Sequence, residues 1–94
     1  MDWSVPHPLV AAAAAILREE GASEVYVFGS FARGDTHPES DLDLAVLGLA
    51  SERVLRAMAR VRRATGRAAD VVQIEREPVF IQFLRSTREL RRVA

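Results

Sequence analysis

Apolar residues recur along this chain with two different periods, and the alternation between them outlines the fold. Leu9, Val10, Ala13, Ile16 and Leu17 fall on one face at helical spacing, which predicts a helix over Pro8–Glu20 with Gly21 as its stop. The other face of that helix is mostly alanine, which favours helix without demanding burial. Glu24–Phe28 is β-rich and reads as a first strand, ending abruptly at Gly29-Ser30. Ser30 is placed to cap a short helical turn, Phe31–Arg33, followed by a polar loop, Gly34–Ser40. Leu42–Leu47 is a second strand. Ser51 is the expected cap of a long helix running to Thr65 and closed by Gly66. Ala69–Ile74 reads as a third strand, and Pro78 opens a terminal helix over Val79–Val93. The predicted order is αβ(α)βαβα, an α/β (α+β) chain with a small mixed sheet flanked by helices.

Composition narrows the class. Ninety-four residues allow one domain, 1–94, with a small core and a thin stability margin. Nearly half the residues are apolar, which argues for a globular fold over disorder. The absence of cysteine excludes disulfides, thiolate metal sites and a Cys nucleophile, and two histidines do not make a zinc site. Formal net charge is zero, so there is no strong nucleic-acid signal. The apolar run Leu9–Leu17 is too short to span a bilayer and lacks a preceding positive charge. No membrane association is therefore expected, and a cytoplasmic location is the default.

The candidate chemistry lies between the first two strands. Gly29-Ser30 is separated by ten residues from Asp41-Leu42-Asp43. Because side chains alternate across a strand, Asp41 and Asp43 point to one side and Leu42, Leu44 and Val46 to the other. An acid pair entering an apolar strand costs stability unless something balances it. Two carboxylates on one side suit a hard divalent cation. Asp70 lies near the start of the third strand as Asp43 lies near the start of the second, and a helix connects those strands, as between parallel neighbours. If they are parallel, Asp43 and Asp70 share a sheet end. Gly29-Ser30 follows the end of the first strand, so it reaches that same end only if the first strand runs antiparallel to the second.

At these residues the chain resembles a minimal nucleotidyltransferase, a small member of the DNA polymerase β-type superfamily. The stretch GSFARG, the S-D-L-D-L run and the later strand acid carry the resemblance, which covers about Glu24–Ile74. It implies that Asp41, Asp43 and Asp70 are catalytic and hold two Mg²⁺ ions, with ATP as substrate. It implies that Gly29 and Ser30 bind the β- and γ-phosphates. Arg33 is either a further phosphate contact or a solvent-facing helix residue. Tiny stand-alone versions resemble antitoxins of two-gene modules that transfer AMP to a tyrosine of a HEPN-domain RNase toxin, and the resemblance implies that function and that partner. The alternatives are a catalytically silent antitoxin acting by steric contact, and transfer to a small molecule or an RNA end. The last is disfavoured because larger relatives use a second domain to grip such acceptors.

Outside the motif, Arg53, Arg56, Arg60, Arg63 and Arg67 fall within an arc of about 80° on the long helix. They read as a solvated face, or else as a docking face for an acidic partner or RNA. Val54, Met58 and Val61 lie opposite, while Arg62 is expected to snorkel near Leu55 and Met58. The phenylalanines of the terminal helix, Phe80 and Phe83, are expected in the core with Leu84 and Leu90. His37 reads as a surface loop residue or as a phosphate neighbour, and Trp3 as packing for the N-terminal arm.

Overall fold

Four strands pair into one mixed sheet in the computed structural model, which describes residues 7–94. The elements are α1 (Pro8–Glu19), β1 (Glu24–Phe28), α2 (Ser30–Arg33), β2 (Leu42–Leu47), α3 (Ser51–Thr65), β3 (Ala69–Gln73), a 3₁₀ turn (Ile74–Arg76), α4 (Pro78–Ser86) and β4 (Arg91–Arg92). The expected position of Trp3 lies outside the described residues.

The strand order is β3-β2-β1-β4. β1 runs antiparallel to β2 and β2 parallel to β3, which is the mixed sheet that the placement of the acids requires. Alternation along the strands gives the sheet two apolar faces. One carries Val25, Val27, Leu42, Leu44, Val46 and Val71 against Val10, Ala13, Ala14 and Leu17 of α1 and Ala57 and Val61 of α3. The other carries Phe28 and Ala45 against Ile81 and Leu84 of α4. β2 is central and covered on both sides, so it reads as a nearly continuous apolar run broken by Asp43.

The helix starts differ from expectation by one residue. Gly29, not Ser30, is the N-cap of α2, and Ala50, not Ser51, is the N-cap of α3. Neither start has a side-chain cap, and the Ser51 hydroxyl instead accepts a hydrogen bond from Gln73 Nε2 at 3.1 Å.

The terminal helix is the larger correction. It ends at Ser86 rather than Val93. The hydroxyls of Ser86 and Thr87 turn back onto the carbonyls of Phe83 and Leu84, at 2.7 and 3.1 Å, and Arg88 adopts φ 60°. Such back-bonding competes with helix continuation, and a positive φ ends it. The chain then returns as β4 along the free edge of β1, with Val93 N–H on the carbonyl of Val25 at 2.8 Å.

Phe80 and Phe83 are also corrected, because they are 38% and 58% exposed while Ile81 and Leu84 make the core contact. A helix only nine residues long turns one narrow stripe inward, and that stripe is Ile81 and Leu84. No helix among the described residues is long and apolar enough to cross a membrane.

Candidate active site

The sheet register assembles the site. Phe28, the last residue of β1, stands opposite Asp43 of β2, and Asp43 stands beside Asp70 of β3. Gly29 follows Phe28 directly, so the Gly-Ser turn and the two strand acids meet at one end of the sheet. Asp41 immediately precedes β2 and is exposed, Asp43 is half-buried, and Asp70 is exposed.

Gly29 has φ 70° and ψ −149°, a conformation open essentially to glycine alone. A Cβ added there would collide with Asp43 Oδ2 and stand 3.1 Å from its Cγ. The backbone of the turn therefore lies directly on the Asp43 carboxylate. The Gly29 carbonyl accepts from the amides of Ala32 and Arg33, both at 3.0 Å, which winds the single turn of α2. The first amides of that turn have no partner within the helix and are available to an anion.

Asp43 is held above the ordinary carboxylate pKa. Burial contributes most, followed by the charges of Asp70 and Asp41; Arg33 opposes these effects and Glu89 adds to them. This donor set fits a divalent cation, since a cation between these carboxylates offsets the repulsion that raises Asp43. Yet among the described residues no three carboxylate or imidazole groups converge closely enough to enclose a metal ion. The acids stand as a cleft-facing pair, Asp41 and Asp43, with Asp70 as a neighbour.

A cleft of about 530 Å³ opens over this sheet end. Gly29, Ser30, Arg33, Asp41 and Asp43 line it, and Asp70 does not. Arg33 is engaged by Asp35 at 3.1 Å and by Glu89 at 3.5 Å across the cleft. His37 lies on the cleft rim, its Nδ1 accepting from the Glu39 amide at 3.2 Å.

Three features escaped sequence reasoning. Glu89 faces the cleft because the terminal helix stops early, and only that stop could have revealed it. Phe80 and Phe83 form an aromatic wall. Arg67 leaves the expected stripe: its guanidinium donates to the carbonyls of His37 (3.2 Å) and Ser40 (2.9 Å) and stacks 5.7 Å from the Phe31 ring centroid. It thereby ties down the loop that delivers Asp41. Gly66, which ends α3, was the available signal that Arg67 lies beyond the helix.

The rest of the stripe divides too. Arg60 donates to Glu20 at 2.7 Å and to Glu19 at 2.6 Å, Arg56 pairs with Glu20 at 3.3 Å, and Arg53 reaches the Glu20 carbonyl at 3.4 Å. These residues fasten α3 to the end of α1, whereas Arg62, Arg63 and Leu55 are exposed.

A family model described as polymerase beta, nucleotidyltransferase, matches residues 13–90. No curated protein is significantly similar in sequence. Among solved structures, the fold is similar to a toxin–antitoxin with AMP-PNP, with a TM-score of 0.72 and 21% identity over 92% of this chain and 72% of that one. It is also similar to a toxin–antitoxin MntA–HpeT double Asp-to-Glu mutant, with a TM-score of 0.67 and 20% identity over 83% and 66%. A third neighbour is the complex of tri-AMPylated Shewanella oneidensis HEPN toxin with MNT antitoxin, at 0.58 and 19% identity over 83% and 62%. At these identities the likeness concerns the fold.

Proposed function

The chain belongs to the polymerase beta nucleotidyltransferase family, and from that premise we propose that it is an antitoxin that transfers AMP from ATP to a tyrosine hydroxyl of a HEPN-family RNase toxin. The observation that carries the chemistry is the register Phe28–Asp43–Asp70, which sets the Gly29-Ser30 turn on the Asp43 carboxylate. The toxin–antitoxin complexes among the structural neighbours, one with AMP-PNP and one with an AMPylated HEPN toxin, support the acceptor.

In this reading Ser30 and the first amides of α2 receive the β- and γ-phosphates, and Arg33 exchanges a carboxylate partner for a phosphate oxygen. Asp41 and Asp43, with Asp70 beside them, would hold Mg²⁺, and a bound ion would supply a lowered pKa at the acceptor hydroxyl and charge neutralisation at the pyrophosphate leaving group. The hydroxyl oxygen bonds to the α-phosphorus as the bond to pyrophosphate breaks, and the hydroxyl proton leaves to solvent at the open cleft mouth. The turn and the sheet end set the line of approach, which is most of what phosphoryl transfer asks of a protein.

A sterically acting antitoxin is the second reading, favoured by the loose grouping of the three acids. Incubating the chain with ATP, Mg²⁺ and its toxin, then measuring intact mass, separates the two. Mass gains in whole AMP units that vanish in the Asp41→Asn, Asp43→Asn double variant support transfer. Full neutralisation by that variant without any AMP gain supports steric action.

A further inference from the structure

The cleft has two chemically distinct halves. One is the polar wall of Gly29, Ser30, Arg33, Asp41 and Asp43, and the other is Phe28, Phe80, Phe83 and Leu84. Phe28 and Leu84 are buried, so the apolar surface that the cleft offers comes from Phe80 and Phe83. Phe80 is fixed: its ring packs edge-on to Phe28, with centroids 5.5 Å apart and planes at 77°. Phe28 is the residue before Gly29 and stands opposite Asp43. The aromatic wall is thus fastened to the strand end that carries the phosphate turn. Phe83 follows three positions later, on the same side of α4. Among the described residues its ring has no aromatic partner, and the residue is 58% exposed.

We infer that Phe83, backed by Phe80, is the platform on which the base of the nucleotide stacks. The inference rests on the nucleotide-transfer reading above and deepens it. A nucleotide is itself divided into a polyanion and a flat, weakly polar ring system, and the division of the cleft matches it. A cleft of about 530 Å³ is also of the size that takes a small ligand. Stacking accepts every base, because every base has a π-face. Beyond the phosphate wall the polar groups of the cleft are mostly engaged: His37 Nδ1 accepts from the Glu39 amide, Ser40 Oγ accepts from the His37 amide, Glu89 pairs with Arg33, and Glu39 sits on an exposed loop. The ligand class is therefore nucleoside triphosphates with loose base choice. A protein segment is the competing occupant of the aromatic wall, and it leaves a different signature.

The test is calorimetric affinity of the isolated chain for ATP and for inorganic tripolyphosphate, each with Mg²⁺. Phe83 is exposed enough to replace without disturbing the core. Phe83→Ala is expected to weaken ATP about 5- to 150-fold, the usual range for one base stack, while tripolyphosphate stays within about twofold. Phe83→Leu, which keeps apolar bulk without a π-face, recovers only part of the loss. Parallel weakening of ATP and tripolyphosphate overturns the inference, as does unchanged ATP affinity accompanied by lost toxin binding. Wild-type protein that binds tripolyphosphate as tightly as ATP removes the base platform and leaves the phosphate site. Wild-type protein that binds neither removes the nucleotide-transfer reading itself.

Discussion

The Gly29 backbone rests on the Asp43 carboxylate, so the phosphate turn and the strand acid form one packed unit. A side chain at position 29 has to displace Oδ2 and crowd Cγ and Cβ, 3.1 and 3.3 Å away. Any change at Gly29 is therefore also a change at Asp43.

Gly29→Ala is expected to lower stability by about 1–3 kcal/mol, the usual cost of forcing a Cβ into a glycine-only conformation. AMP transfer should be lost at temperatures where the variant is still folded. Urea denaturation and intact-mass assays on the same preparation check both parts. A folded variant with wild-type transfer would show that the turn and Asp43 are not coupled.

Asp43→Asn should separate stability from activity. Burial and the charges of Asp70 and Asp41 raise the Asp43 pKa in the fold. The folded state therefore holds its proton to higher pH than the unfolded chain. Stability falls as pH rises from the ordinary carboxylate value through the raised one, and stays reduced above it. Removing the charge is expected to stabilise the metal-free protein at neutral pH, with no gain well below the ordinary carboxylate value. Transfer should drop by about a hundredfold or more, and Mg²⁺ should no longer raise the melting temperature. A destabilised Asp43→Asn protein at neutral pH contradicts this account of burial and like charge.

The strand directions were legible because chemistry constrains topology. Asp43 and Asp70 sit one residue into their strands, and Gly29 follows the end of its strand, so only an antiparallel first pair brings all three together. Local pattern sufficed for α1, α3 and the three long strands. It failed at Thr87–Arg92, where a nonlocal edge pairing, two arginines against Tyr26 and Val27, is worth more than the helix that local propensity favours. Arg67 was misplaced for a related reason: helical phase was extrapolated past Gly66 into a residue whose partners are the carbonyls of His37 and Ser40. Phe80 and Phe83 were read as core from hydrophobicity alone, which says nothing about which side of a short helix meets the sheet.

Glu20 should govern the acid limb of stability. It is buried at the end of α1, and its pKa is lowered chiefly by the Arg60 hydrogen bond, with burial opposing and Arg56 and Arg53 assisting. An acid depressed in the fold contributes stability that is fully present above its ordinary value of 4.5 and is lost as pH falls through the lower folded value. Wild type and Glu20→Gln should differ most near neutral pH and converge in acid. Urea midpoints at pH 7 and pH 3 measure this, and a difference that is the same at both values rules out the ion pair as the source.

Arg67→Ala should cost activity through the loop rather than through the fold. Arg67 lies on no strand or helix, and its side-chain hydrogen bonds go to the carbonyls of His37 and Ser40. Its two hydrogen bonds and its place over Phe31 hold the carbonyls of His37 and of buried Ser40, the residue before Asp41. Within the loop, Ser40 Oγ also accepts from the His37 amide at 2.7 Å, so the segment has a local brace that survives the substitution. Residues 34–40 are therefore expected to exchange amide hydrogen faster while the strands keep their protection. A misplacement of Asp41 by about an ångström suffices to lower kcat on the order of 10–100-fold, with little change in ATP affinity. Both bonds come from Nη1, so a lysine ammonium has donors enough for the two carbonyls, but it loses the planar group that stacks over Phe31, and Arg67→Lys should restore only part of kcat. If Arg67→Lys matches wild type in both exchange and kcat, charge alone is at work. If Arg67→Ala weakens ATP binding and kcat together with unchanged loop exchange, Arg67 acts on the nucleotide and not on the loop.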